Sequence, residues 1–346
     1  MDKFLLEDDD SALLIQAGAA DLFKRLSQID PEKIGMPEHC LHYYKASHSK
    51  RLFFSIQTSA HLLYRSINLT GKNISEITIM DYGAGVGTLY LLAKIIGCGK
   101  VVYNDHLDDW KNSAELIANA VSIKIDQYVV GDISECLDVL DRTNTQCDII
   151  TSRNVIEHIY QLKNFYTAVC KRQPKAIIFS STTANSSNPA AVIKHRMWHN
   201  KWEKVYRGKR LVLIKRSTPE LNMQQAEKLA LATKGLAMTE LNDAIGAFIK
   251  TNALPDPSVH KTNTCDPDTG VWAEHLLTKD EYREVINTGN YNVSFQPGFW
   301  DTHYNNRLMN ALGIMLNKII QNTGFGMNLA PFIYVIAIPK YLKSKK

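Results

Sequence analysis

The sequence predicts a doubly wound α/β fold: a mostly parallel sheet with helices on both faces, preceded by a helical N-terminal cap and interrupted by a helical insertion. Three observations carry this. Short β-branched runs recur at intervals of about 20 to 30 residues between positions 77 and 179, with helical stretches between them. A glycine-rich turn joins the first run to a helix. The rhythm is absent before residue 71 and is broken again over residues 185–269.

Residues 1–70 read as the cap. Asp10-Ser11 can start a helix through Leu13, Leu14, Ile15, Leu22, Phe23 and Leu26, which Pro31 stops. Residues 37–44 read as a polar, aromatic connection, and a second helix begins near Ser47 or Ser49, with Leu52, Phe53, Ile56, Leu62 and Leu63 as its apolar members. Residues 71–184 read as the core, with strands at 77–80, 101–103, 128–130, 148–150 and 176–179. The insertion, 185–269, opens on a basic aromatic segment. A further helix follows from Ser217-Thr218-Pro219-Glu220, where Ser217 and Glu220 have capping-box spacing. A loop rich in Pro, Asn, Thr and Asp covers 255–270. Residues 270–346 return to the sheet, with strands at 293–295 and 332–338 around a helix at 308–320.

A chain of 346 residues, 45% hydrophobic and 22% charged, can bury one large core with added elements, or two. The opening residues lack the basic start and apolar stretch of a secretory signal. No run approaches the roughly 20 apolar residues that span a bilayer. The six cysteines (40, 98, 136, 147, 170 and 265) are scattered without a C-x-x-C pair, which points to neither a zinc knuckle nor a disulfide framework. A cytoplasmic home is expected.

The strongest local signal is a strand delivering Asp81 into Gly83-Ala84-Gly85-Val86-Gly87 and then into a helix. Glycines let such a turn bend sharply and let a ligand approach the backbone, while the helix start offers free N–H groups. Eighteen residues beyond Gly87 a second strand ends at Asp105, placed to accept ribose hydroxyls as in nucleotide-binding folds of this architecture. A third ends at Gly131-Asp132-Ile133, suited to an adenine edge, and a fourth at Ser152-Arg153-Asn154-Val155. A nicotinamide-type G-x-G-x-x-G is disfavoured, because the third glycine comes one residue early, and no G-K-[ST] follows to make a phosphate loop.

This ordered set, over residues 75–183, resembles the class I S-adenosylmethionine-dependent methyltransferases. The resemblance implies a seven-stranded sheet in the order 3-2-1-4-5-7-6 and S-adenosylmethionine as cofactor. It assigns Asp81, Gly83, Gly85 and Gly87 to the methionine part, Asp105 to the ribose, Asp132 and Ile133 to the adenine, and Asn154 to the sulfonium side. The string Asn154-Val155-Ile156-Glu157-His158 is similar to small-molecule methyltransferases of this class, in several of which the Glu or His activates the acceptor. His158 assisted by Glu157 is therefore the first choice of base, and a histidine suits a proton transfer near neutral pH. His158 packing on the cofactor or capping a helix, with Glu157 in a structural hydrogen bond, is the alternative.

The fourth strand lacks the [DNS]-P-P-[YFW] string of amino methylation on nucleic-acid bases, no Pro-Cys pair is present for cytosine, and the glutamate pair of arginine methylation is missing. A hydroxyl of a sugar-like or other anionic small molecule or glycan, lipid-linked in one version, remains as acceptor, and nucleic acid is disfavoured. Residues 194–216 carry nine Lys and Arg against Glu203, interleaved with His195, Trp198, His199 and Trp202. His195 and His199, four apart, are second choices of base, and Arg196 and Arg207 suit an anionic acceptor. Contact with acidic lipid headgroups and a plainly solvated face stay open. Two histidines alone leave a metal short of ligands, so no metal is expected.

Residues 272–282 resemble the element before the sixth strand of this class. The strings 298–304 and 329–332 resemble methyltransferases of bacterial surface-polysaccharide clusters, and Asp301, His303 and Tyr304 could reach the acceptor pocket; ordinary loop roles are the alternative. Two rival readings are an RNA or protein methyltransferase docking through the basic insertion, and a non-catalytic partner protein of methyltransferase fold.

Overall fold

The computed structural model describes residues 3–256, 264–271, 275–287 and 290–342. Its centre is a seven-stranded sheet in the order β3-β2-β1-β4-β5-β7-β6, made of β1 (Thr78–Tyr82), β2 (Lys100–Asp105), β3 (Gln127–Val130), β4 (Ile149–Arg153), β5 (Ile177–Thr182), β6 (Tyr291–Pro297) and β7 (Ile333–Pro339). The first five are parallel, and β7 runs antiparallel to both β5 and β6. The predicted order is the observed one.

Side chains alternate across such a sheet. Ile79, Val101, Tyr103, Ile149 and Phe179 face α3 (Leu52–Thr70), α4 (Leu89–Ile95) and α5 (Asp108–Ala120), together with the N-terminal helix α1 (Asp10–Ser27). Their neighbours Met80, Val102, Val129, Ile150 and Ile178 face α6 (Ile133–Arg142), α7 (Leu162–Arg172) and α11 (Lys279–Ile286). Because both faces are covered, the central strands read as unbroken apolar runs.

The inserted segment forms α8 (Pro189–Ser217), α9 (Met223–Ala232) and α10 (Met238–Thr251), joined by an apolar cluster of their own around Ile214, Leu229, Leu241 and Phe248. The sheet is completed by α12 (Arg307–Asn322) and the short α13 (Gly326–Leu329). Among the described residues no helix is long and apolar enough to cross a membrane.

Two expectations need correction and a third is untested. The stretch 37–44 is helical: α2 (Glu38–Tyr43) continues through a π turn, Tyr44–His48, and a 3₁₀ turn, Ser49–Arg51, into α3. Pro37, just outside the first turn, blocks nothing there. Ser217-Thr218 ends a helix instead of starting one. The Thr218 N–H and hydroxyl both donate to the Ile214 carbonyl, and the capping box sits at Asn222 and Gln225. The segment Trp272-Ala273-Glu274 lies outside the described residues.

Candidate active site

A cleft of about 860 Å³ opens at the carboxyl ends of β1, β2, β3 and β4. Strand order reverses there between β1 and β4, the usual ligand position in an open parallel sheet. The glycine turn forms its floor. Gly83 has φ +66°, and a Cβ on it would stand 2.6 Å from Val155 Cγ2. Gly87 needs its bare Cα for a different reason: a Cβ would stand 2.8 Å from the Ala84 carbonyl oxygen, which accepts the Gly87 N–H at 2.9 Å.

Asp105 ties this turn to β2. Its Oδ2 accepts the Gly85 N–H at 2.8 Å and its Oδ1 the His106 N–H at 2.8 Å. Its carboxylate also raises the pKa of the His106 imidazole, 3.0 Å away. Asp81 is buried, and its Oδ2 accepts the Tyr90 N–H in the first turn of α4 at 3.1 Å. Burial pushes its carboxyl up to about 7, against the pull of the Arg153 guanidinium. Asp132 caps α6, its Oδ1 accepting from Ser134 and Glu135, and lines the cleft beside Ile133. Asn154 sits at φ +58°, donates its N–H to Ser181 and borders the cleft after β4.

His158 lines the cleft and is half-buried. Glu157 does not line it. This side chain is buried, and its carboxyl oxygens make no well-formed hydrogen bond among the described residues. Burial pushes it up to about 7, with the Thr182 hydroxyl opposing weakly. An acid raised on folding stabilises fully below its unfolded pKa and loses that contribution as pH rises through its folded pKa. Glu157→Gln, which cannot ionise, should therefore gain stability relative to the parent from about pH 5 to about pH 8. A pH-independent difference in melting temperature would refute this.

The other nominated residues stand elsewhere. His195 and His199 are buried on the inward side of α8, the first with Nε2 3.0 Å from the Thr183 carbonyl oxygen, and neither reaches the cleft wall. Arg196 and Arg207 are exposed on that helix and also miss the cleft. His303 stacks on Phe53 at 3.6 Å, buried Asp301 pairs with Arg51 at 3.0 Å, and Tyr304 lies under the same Arg51 guanidinium, so all three contact the cap. Among the described residues no group of three or more His, Cys, Asp or Glu is disposed to hold a metal ion.

Sequence reasoning missed two features. The first is the role of Arg153, which lines the cleft and holds α3 over it. One terminal nitrogen donates to the Ser55 carbonyl (2.6 Å), Ser59 Oγ (2.7 Å) and Thr58 Oγ1 (3.0 Å), and the other to Ser55 Oγ (2.8 Å). The second is the remainder of the wall: Tyr43 and His48 from the cap, Trp110 from α5, Tyr160, Gln161 and Asn164 before and within α7, and Thr239, Glu240 and Thr269 from the inserted region.

No protein-family model matches the chain, and no curated protein matches it in sequence. Among solved structures it is similar to an S-adenosylmethionine-dependent methyltransferase from Clostridium acetobutylicum ATCC 824, at 10% identity and a TM-score of 0.43, over 86% of this chain and 98% of that one. It is similar also to one from Mesorhizobium loti, at 11% identity and a TM-score of 0.40, over 80% and 97%. An S-adenosylmethionine-dependent methyltransferase from Agrobacterium tumefaciens matches at 13% identity and a TM-score of 0.28, over 35% of this chain and 44% of that one, so the match spans less than half of that protein.

Proposed function

We propose that the protein is an S-adenosylmethionine-dependent methyltransferase that O-methylates a hydroxyl of a sugar-like small molecule or glycan. One observation carries this: the cleft runs from a glycine turn with no room for a Cβ at Gly83 or Gly87, past the Asp105 carboxylate, to Ile133 and Ser134 on one side and His158 on the other. These residues fit the cofactor. Gly83, Gly85 and Gly87 would take its amino-acid part, Asp105 its ribose, Asp132 and Ile133 its adenine, and Asn154 the sulfonium side. When bound, it supplies an activated methyl group.

The chain's own work is then to align the acceptor and remove its proton. His158 takes the hydroxyl proton. Glu157, enclosed behind the cleft wall, takes no proton from the acceptor directly. The aromatic rings of Tyr43 and Trp110 and the neutral polar groups of Tyr160, Gln161, Asn164 and Thr239 suit a sugar-like acceptor. Less in the cleft favours an anionic acceptor, since the Arg and Lys of α8 lie outside it while Glu240 adds a carboxylate to a wall that Arg153 also lines.

The test is a pair of measurements. Calorimetric titration should show S-adenosylhomocysteine binding, and His158→Ala should keep that affinity while methyl transfer to a panel of simple glycosides and neutral glycans falls by about 10²-fold or more. Binding of a dinucleotide in place of S-adenosylhomocysteine refutes the cofactor assignment. Near-normal turnover of the variant refutes the base.

A further inference from the structure

We infer that α8 is a docking surface for an anionic lipid bilayer. Its 29 residues bury three basic side chains and leave large apolar ones in the open. Arg210, His195 and His199 are buried, whereas Met197 is 67% exposed, Ile193 61%, Trp198 43% and Trp202 41%. Val205 and Val212 lie open as well. Lys194, Lys201 and Lys204 share the exposed arc of Ile193, Met197 and Val205, with Arg196 and Arg207 at its edge, and none of the five forms an ion pair among the described residues. The one acid of the stretch, Glu203, is taken by Arg210 at 2.5 Å and by the Thr264 hydroxyl at 2.6 Å. The outward side is therefore basic without local compensation.

Cations and apolar side chains sharing one exposed helical side are what an interfacial helix needs. The charges meet anionic headgroups, and the Trp, Met and Ile side chains enter the boundary beneath them. Trp is favoured at that depth, since its ring is amphipathic. A nucleic acid would satisfy the cations and could stack on the indoles, but it offers nothing to Ile193, Met197 and Val205. Those aliphatic members favour the bilayer. This surface is separate from the cleft, so the inference stands or falls apart from the assignment of cofactor and base.

The experiment is co-sedimentation of the full chain with phosphatidylcholine vesicles, with and without phosphatidylserine, at low and high salt. Binding is expected only when phosphatidylserine is present, to weaken with salt, and to be accompanied by a blue shift of tryptophan emission. K194E/K201E/K204E should weaken it by at least about tenfold, and I193S/M197S/W198S should weaken it as well. An unchanged melting temperature and S-adenosylhomocysteine titration would show that both variants are folded. Equal binding to both kinds of vesicle overturns the inference, as does no binding to either. Full binding by the apolar variant, or binding to polyuridylic acid with the vesicles ignored, also overturns it.

Discussion

Asp105→Ala should reduce affinity for S-adenosylhomocysteine by about 10²-fold or more, the largest loss expected from any single change on the cleft floor. The carboxylate is already holding the turn before any ligand arrives, through the Gly85 and His106 N–H groups. Hydrogen bonds to a charged group are worth about 1.5–3 kcal/mol each. Two of them therefore amount to about 3 kcal/mol or more, and every 1.4 kcal/mol is tenfold in a dissociation constant. Under the proposed function, loss of the ribose acceptor adds to this. Asp105→Asn, which keeps the shape and one acceptor oxygen, should retain part of the affinity. A calorimetric titration in which the alanine variant matches the parent would remove Asp105 from the site.

Arg153→Met should cost about 3 kcal/mol of stability, because it takes a shared charged donor away and leaves several buried acceptors unsatisfied. Methionine fills the stem of the arginine but donates nothing. The Ser55 carbonyl and the hydroxyls of Thr58 and Ser59 lose a donor, and Asp81 loses the cation that favours its charged form. The effect should appear as a fall of roughly 10 °C in melting temperature for a chain of this size. Ser59→Ala, which removes one member of the network, should cost about 1 kcal/mol. Equal melting temperatures for parent and methionine variant would mean that the cap is held by apolar packing alone.

What could be read in advance was local in the chain. The glycine turn, the acids ending the second and third strands and the β-branched runs are each specified within a few residues, and the structure puts them where their spacing suggests. Arg153 escaped because its partners lie on another element, with Ser55 98 positions away. Residue type at 153 says only that the strand ends in a cation. Tyr43, His48 and Glu240 escaped in the same way, since nothing near them in the chain marks a cleft wall. The orientation of α8 was open for a different reason. Basic and aromatic residues there fit a ligand, a lipid surface or solvent equally, and the structure shows the helix burying Arg210 and two histidines and exposing Met197 and Ile193. A helix whose apolar and polar members are mixed on each side has no periodicity to say which side is inward.

The position of β7 has a consequence for synthesis. It lies between β5 and β6 in space but follows both along the chain. Until the ribosome has released residues 333–339, one flank of β5 and the whole of β6 have no neighbour to zip against. Open flanks recruit strands from other molecules. Nascent copies on one messenger are therefore most prone to tangling during the interval between the emergence of β5 and that of β7, when the parallel half of the sheet already exists but still has no seal.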